Sequence, residues 1–175
     1  MNFDAPLPDR GEIDMLEMSD LYNGKREKTG KVLPRGVSVP KGLYHLTVSA
    51  WIVNSQGQYL LSRRHPQKTY PLCWECTGGS VLAGEDSLNG AVREVREELG
   101  VILNPFKAEM IYQTRREDAQ DFYDVWLFHA DIDISEIKMQ ETEVISIQWV
   151  DRDGLIDMMH RGKLHPMIDY VEEMF

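Results

Sequence analysis

Apolar residues along this chain fall into two periods, and the period assigns each segment. Leu43 to Asn54 is rich in β-branched and aromatic residues, which predicts a long buried strand. Asn54-Ser55-Gln56-Gly57 is a turn, and Gln58 to Arg63 is the returning strand. A loop with two prolines follows from His65 to Leu72, then a short strand from Cys73 to Thr77 that runs into Gly78-Gly79. Between Asp86 and Leu99 the period changes. Leu88, Ala91, Val92, Val95 and Leu99 form one apolar stripe at helical spacing, with Asp86 as N-cap and Gly100 as the C-terminal stop. Residues 107–115 and 121–132 alternate as two strands about an Arg115–Gln120 turn. Ile145 to Val150 is another strand, and Arg152–His160 and His165–Met174 read as helices, the second with Pro166 in its first turn. Upstream, Asn23-Gly24, Thr29-Gly30 and Pro34-Arg35-Gly36 predict a β-hairpin arm over roughly 15–35, behind a loose tail at 1–12. This order predicts an α/β domain with helices on both sides of a mixed sheet.

Composition narrows the function classes. The 175 residues carry 19 basic and 29 acidic side chains, for a net charge of −10. Such an acidic chain is poorly suited to nucleic-acid backbones or anionic lipid, and well suited to gathering divalent cations. No run approaches the length of a membrane span, and no basic-then-apolar leader opens the chain, so no nucleic-acid or membrane partner is expected. Two cysteines, Cys73 and Cys76, are too few for a disulfide framework, and a cytoplasmic location is the expectation.

The predicted helix has a second face. Glu94, Glu97 and Glu98 stand at i, i+3 and i+4, so three carboxylates project together. Like charges on one face destabilise an isolated helix. A hard, oxygen-seeking cation such as Mg²⁺ or Mn²⁺ offsets that cost. Around this face runs Gly79, five residues, Glu85, seven residues, then Arg93-Glu94-Val95-Arg96-Glu97-Glu98-Leu99-Gly100-Val101. At average residue usage, chance odds of this pattern are on the order of 10⁻⁷ for such a chain.

That pattern is the Nudix box, and here the chain resembles the Nudix hydrolase family. The arm, the Tyr44-His45 strand and the Trp74 strand resemble the branch related to isopentenyl-diphosphate isomerase. The resemblance implies an α/β/α sandwich around a mixed sheet, with a tail and arm at 1–40 and a Nudix domain at 41–175. It also implies metal-dependent hydrolysis of a diphosphate linkage in a small-molecule nucleoside diphosphate derivative, the alternatives being an isopentenyl-diphosphate-isomerase-like enzyme or a non-catalytic nucleotide-binding Nudix domain. On this chain the metal ligands would be the Gly79 carbonyl, Glu94, Glu97 and Glu98, with Glu97 and Glu98 central to catalysis. Glu85 and Arg93 would pair to fix loop against helix. The family often takes a general base from a loop after the box. Glu141 and Glu143 are candidates, Glu143 preferred.

Outside the box, Arg63, Arg64 and Lys68 are candidates for binding substrate phosphates. Tyr70, Trp74 and Tyr112 are candidates for stacking on a base. The arm is a candidate for homodimerisation. Cys73-Trp74-Glu75-Cys76 lacks both a helix context for redox chemistry and a second cysteine pair for zinc, so a structural role is expected. The isomerases of the related branch carry a Cys-Gly-His run at the start of the box. Here those positions read Gly78-Gly79-Ser80, which argues against proton transfer at carbon. In that branch the strand position of His45 ligates a metal; a lone strand histidine is more commonly a packed residue.

Overall fold

The computed structural model describes residues 17–174. The predicted tail at 1–12 and the first residues of the arm lie outside them. β1 (Met18–Tyr22) and β2 (Lys28–Pro34) form the expected hairpin arm. Asn23 builds its turn, its Oδ1 accepting from the backbone N–H groups of Lys25 at 2.9 Å and Glu27 at 3.1 Å.

β3 (His45–Val53) is the central strand. β8 (Asp121–His129) lies parallel to it from His45↔Asp121 to Val53↔His129. β6 (Thr77–Ser80) runs antiparallel on its other side, from Ala50↔Thr77 to Thr47↔Ser80. β7 (Ala108–Arg116) pairs with β8. β4 (Tyr59–Arg64) leaves β3 after a single matched pair, Val53↔Tyr59, and takes β9 (Val144–Val150) and β5 (Trp74–Glu75) as its neighbours. The predicted strand at 73–77 is therefore two strands. β5 belongs with β4, β6 belongs with β3, and buried Cys76 is the crossing point. The sheet splits there, and the split opens the cleft described below.

Alternation along β3 divides its side chains between two cores. Val48, Ala50 and Ile52 pack with Ala91, Val95 and Leu99 of α1 (Ser87–Leu99). Trp51 packs on the opposite face with Leu61, Val125, Leu155 of α2 (Arg152–His160), Ile168 and Val171. Each large apolar side chain so enclosed contributes about 1.5–3 kcal/mol. Helices thus cover both faces of a mixed sheet, as the element order predicts. The caps of α1 are the expected ones. Asp86 Oδ1 accepts from Asn89 N–H at 2.8 Å, and Gly100 closes the helix with φ 67°.

The C-terminal segment departs from expectation. In place of one helix over His165–Met174 there is a 3₁₀ turn (Pro166–Ile168) and a short α3 (Val171–Met174). Ile168, Tyr170 and Val171 are all buried, and residues two apart point to nearly opposite sides of a continuous helix. Breaking the helix lets all three enter the core. The strand predicted to reach residue 132 ends at His129.

The arm is packed onto the domain through charge. Asp124 on β8 is fully buried, paired bidentately with Arg26 and bonded by Gln113 Nε2 at 3.0 Å. Among the described residues no helix is long and apolar enough to cross a membrane.

Candidate active site

The loop from β6 into α1 carries the box into place, and two strands fix it. Val81 N–H donates to Leu46 of β3, Ala83 N–H donates to Met18 of β1, and Gly84 N–H donates to the Asp20 carboxylate. Glu85 closes the loop by accepting from Leu82 N–H at 3.0 Å and meets Arg93 Nε at 3.0 Å. Arg93 then reaches Glu94 at 2.9 Å, Glu97 at 3.0 Å and the Ser80 carbonyl at 2.8 Å. Burial opposes its charge, but the hydrogen bond it donates to Glu85 and the field of Glu94 outweigh it and raise its pKa further. Arg93 therefore ties loop, strand and helix together.

The second staple runs from the far end of α1. The carbonyls of Glu98 and Leu99 accept from Gln140 N–H and Lys138 N–H, which draws the loop bearing Glu143 against the helix. Lys68, from the loop after β4, pairs with Glu143 and stands 3.9 Å from Glu98. Together Gly78, Gly79, Glu94, Glu97, Glu98, Lys68 and Glu143 line one narrow recess of about 80 Å³.

This recess is short of positive charge. Glu85, Glu94, Glu97, Glu98 and Glu143 outnumber the cations beside them, Arg93, Lys68 and Arg35. Burial, reinforced by Glu94, Glu75 and Glu143, pushes the Glu98 carboxyl up to about 8 in spite of Lys68. Burial, aided by Glu97, likewise raises Glu94, against Arg93 and Arg35. Among the described residues no three His, Cys, Asp or Glu side chains are gathered closely enough to hold an ion as they stand; Arg93 bridges Glu94 and Glu97, and Lys68 stands between Glu98 and Glu143. The donor set is oxygen alone, and the space above Gly79 is occupied by the Glu94 carboxylate. Such a set, with its surplus of negative charge, fits a hard divalent cation.

The recess opens into a larger cleft of about 460 Å³ between the two halves of the sheet. Arg64 lines it, held bidentately by Glu75 at 2.7 and 3.0 Å and bonded to the Thr69 carbonyl at 2.9 Å. Arg63 does not join it. Consecutive strand residues face opposite ways, and Arg63 lies over the Trp74 ring in a separate recess with Leu72 and Lys163. Trp74 is thereby placed outside the cleft, and Tyr112 stacks on Tyr170 at 5.1 Å. Tyr70 does line the cleft; His45 does not, and Glu141 stays exposed. Cys76 lies on the cleft floor, its thiol pushed up to about 12 by burial, and both cysteines are free.

Three cleft residues escape a reading of the sequence. Arg35 reaches in from the end of the arm, paired with Glu17, and lines both cleft and recess. Arg116 sits 4.0 Å over the Tyr123 ring and pairs with Asp121. His165 borders the cleft from the C-terminal turn. The three lie 44 or more positions from the box in either direction or on a strand end, with no spacing signal to link them.

Comparison with known proteins settles the family. The model of the NUDIX domain matches residues 43–170. The chain belongs to the Nudix hydrolase family. An uncharacterized Nudix hydrolase of Listeria monocytogenes is 32% identical over 162 residues, covering 91% of this chain and 94% of the relative. An isopentenyl-diphosphate Delta-isomerase of Escherichia coli is 31% identical over 147 residues, covering 80% and 78%. The crystal structure of DR0079 from Deinococcus radiodurans shares the fold, with a TM-score of 0.73 at 23% identity over 91% of this chain and 99% of that one. This Nudix enzyme thus has relatives of both reaction types, and its own residues must separate them.

Proposed function

We propose that this Nudix enzyme hydrolyses a diphosphate linkage in a nucleoside diphosphate derivative, with Mg²⁺ or Mn²⁺ as its cation. One observation carries the reading. The box carboxylates, Gly79, Lys68 and Glu143 converge on a recess that opens into a cleft bordered by further cations.

Glu94, Glu97, Glu98 and the Gly79 carbonyl would hold the metal. When bound, a divalent cation lowers the pKa of water and neutralises charge on phosphoryl oxygens. The protein's own residues do the rest. Lys68 and Arg35 set positive charge beside the recess for a diphosphate. Arg64 is occupied by Glu75 and shapes the loop that carries Lys68. Glu143 is the general base, taking a proton from the attacking water once substrate draws Lys68 away. Arg93 holds the carboxylates on the helix in register.

Proton transfer at carbon fits less well. A Cβ on Gly78 would overlap the Val48 carbonyl oxygen and lie 3.1 Å from Ser49 Cα, which leaves no room for a thiol there. Cys76, two residues away, is buried and held protonated. Its two free cysteines suit a cytoplasmic setting.

The test is a panel of nucleoside diphosphate derivatives with Mg²⁺, read by released phosphate and nucleotide. Turnover of at least one member is expected. No turnover, with deuterium entering dimethylallyl diphosphate from isopentenyl diphosphate in deuterated water, overturns the reading.

A further inference from the structure

Arg63 and Arg64 face opposite ways on β4, yet both hold the same loop. Arg64 Nε donates to the Thr69 carbonyl at 2.9 Å on the cleft side. Arg63 Nε donates to the Leu72 carbonyl at 3.2 Å on the other. Beyond that bond Arg63 meets only the Trp74 ring, 5.9 Å from its Cζ, and no described carboxylate pairs with it. Its two Nη groups open into the recess of about 440 Å³ that Leu72, Cys73, Trp74 and Lys163 also line.

The backbone brings a second cation to this recess. Gly162, with φ 64°, turns the chain after α2, and Lys163 comes back alongside β5. Trp74 N–H donates to the Lys163 carbonyl at 2.9 Å, and His165 N–H donates to the Trp74 carbonyl at 2.8 Å. Lys163 is exposed and likewise has no described carboxylate partner. The chain carries a net charge of −10, yet here two cations stand unneutralised beside an aromatic face. Such a spot attracts an anion locally, against the field of the whole chain.

We propose that this recess, outside the catalytic cleft, binds a small-molecule phosphate monoester and passes that binding to Lys68 through the loop at 65–72. A phosphate monoester carries a charge of about −1.5 to −2 at pH 7, which two cations balance, whereas a carboxylate would leave one of them over. The Nη groups of Arg63 suit bidentate contact with phosphate oxygens. Trp74 and the half-exposed Leu72 offer apolar surface to a flat organic body. The route to the cleft is short. Trp74 is followed by Glu75, which holds Arg64, and Arg64 holds Thr69 next to Lys68. A ligand that draws Arg63 away from Leu72 therefore loosens the far end of the loop that presents Lys68 to Glu143. Coupling of this kind is reciprocal, so whatever occupies Lys68 changes the affinity of the recess by the same factor. Binding here needs neither metal nor turnover and does not depend on the diphosphate reading.

The test titrates phenyl phosphate into the ¹⁵N-labelled full chain with a chelator present, followed by amide and indole NMR signals, with benzoate and phenol as controls. The Trp74 indole signal is assigned by its loss in Trp74→Phe. Phenyl phosphate should shift that signal, and the backbone amides of Lys68 and Thr69 should move with the same midpoint. Arg63→Gln and Lys163→Gln should each raise the Kd at least about fivefold, the cost of one charge-assisted hydrogen bond. Lys163→Gln leaves the Arg63–Leu72 bond in place, so its effect is read on an intact loop. Arg35→Ala, which alters the cleft, should leave this Kd within about twofold. A Trp74 signal unmoved at millimolar phenyl phosphate, a Kd unchanged in both recess variants, or benzoate binding as tightly overturns the site. Binding lost in Arg35→Ala places the anion in the cleft and overturns it too. Saturation at Trp74 with Lys68 and Thr69 unmoved overturns the link to Lys68.

Discussion

Gly79 and Glu94 occupy adjoining space: a Cβ on Gly79 would lie 2.5 Å from the Glu94 carboxylate carbon and from its Oε1. Real carbon atoms do not approach so closely, so any side chain here displaces Glu94. Gly79→Ala should therefore lower kcat by at least about 10²-fold, corresponding to about 2.7 kcal/mol of lost transition-state stabilisation. Its melting temperature should stay near that of the parent, since Glu94 swings toward solvent and not into the core. Unchanged turnover would mean that Glu94 does not need its present position.

Glu97→Gln and Glu98→Gln should each reduce turnover by 10² or more at saturating Mg²⁺, by the same arithmetic. Their stabilities should differ. Glu97 is exposed, so its replacement should be nearly silent in a denaturation curve. Glu98 is buried with its carboxyl raised to about 8, so neutral glutamine should stabilise the metal-free protein at pH 9. Parallel titrations with chemical denaturant, with and without Mg²⁺, measure both effects.

Arg35 comes from the arm and has one carboxylate partner, whereas Arg64 is bound on several sides. Arg35→Ala should raise KM about tenfold and leave kcat within a factor of about three, the signature of lost ground-state binding. Arg35→Lys should recover part of it. A fall in kcat with KM unchanged would place Arg35 elsewhere in the reaction.

His165 also makes stability depend on pH. Its folded pKa is near 4 against an unfolded value of about 6.5, so between those values the unfolded chain binds the extra proton. Stability should fall as pH drops from 6.5 toward 4, and this part of the slope should vanish in His165→Asn. Urea midpoints of both proteins across that range give the comparison; parallel curves would contradict it.

Cys73→Ser/Cys76→Ser should keep its turnover. Cys76 is enclosed at the crossing of the two half-sheets, so the cost should appear as a lower melting temperature. Zinc retained by the parent at one equivalent and lost in this variant would refute a purely structural role.

What could be read from the chain is what its local pattern controls. The stripe from Leu88 to Leu99, its two caps and the arm's Asn23 turn depend on residues within one or two turns of each other, and they form as expected. The box was legible because one helix and its entry loop carry it. The cleft was not, because it arises from the parting of β3 and β4, a tertiary event. Arg63 and Arg64 look equivalent as neighbours, and only strand alternation in that sheet separates them. His165 was hidden by a helical pattern that breaks so that Ile168, Tyr170 and Val171 can all be buried.

The pairing of Arg26 with buried Asp124 bears on how such enzymes change over generations. A descendant that lost the arm would keep a carboxylate sealed in its sheet without a counter-charge, a cost of several kcal/mol. Replacing Asp124 first would leave Arg26 without its anchor and loosen the strand that grips the box loop. The two features should therefore be inherited as a unit. Across homologues, an acidic residue at this strand position should occur where the arm occurs, and an apolar one where it does not.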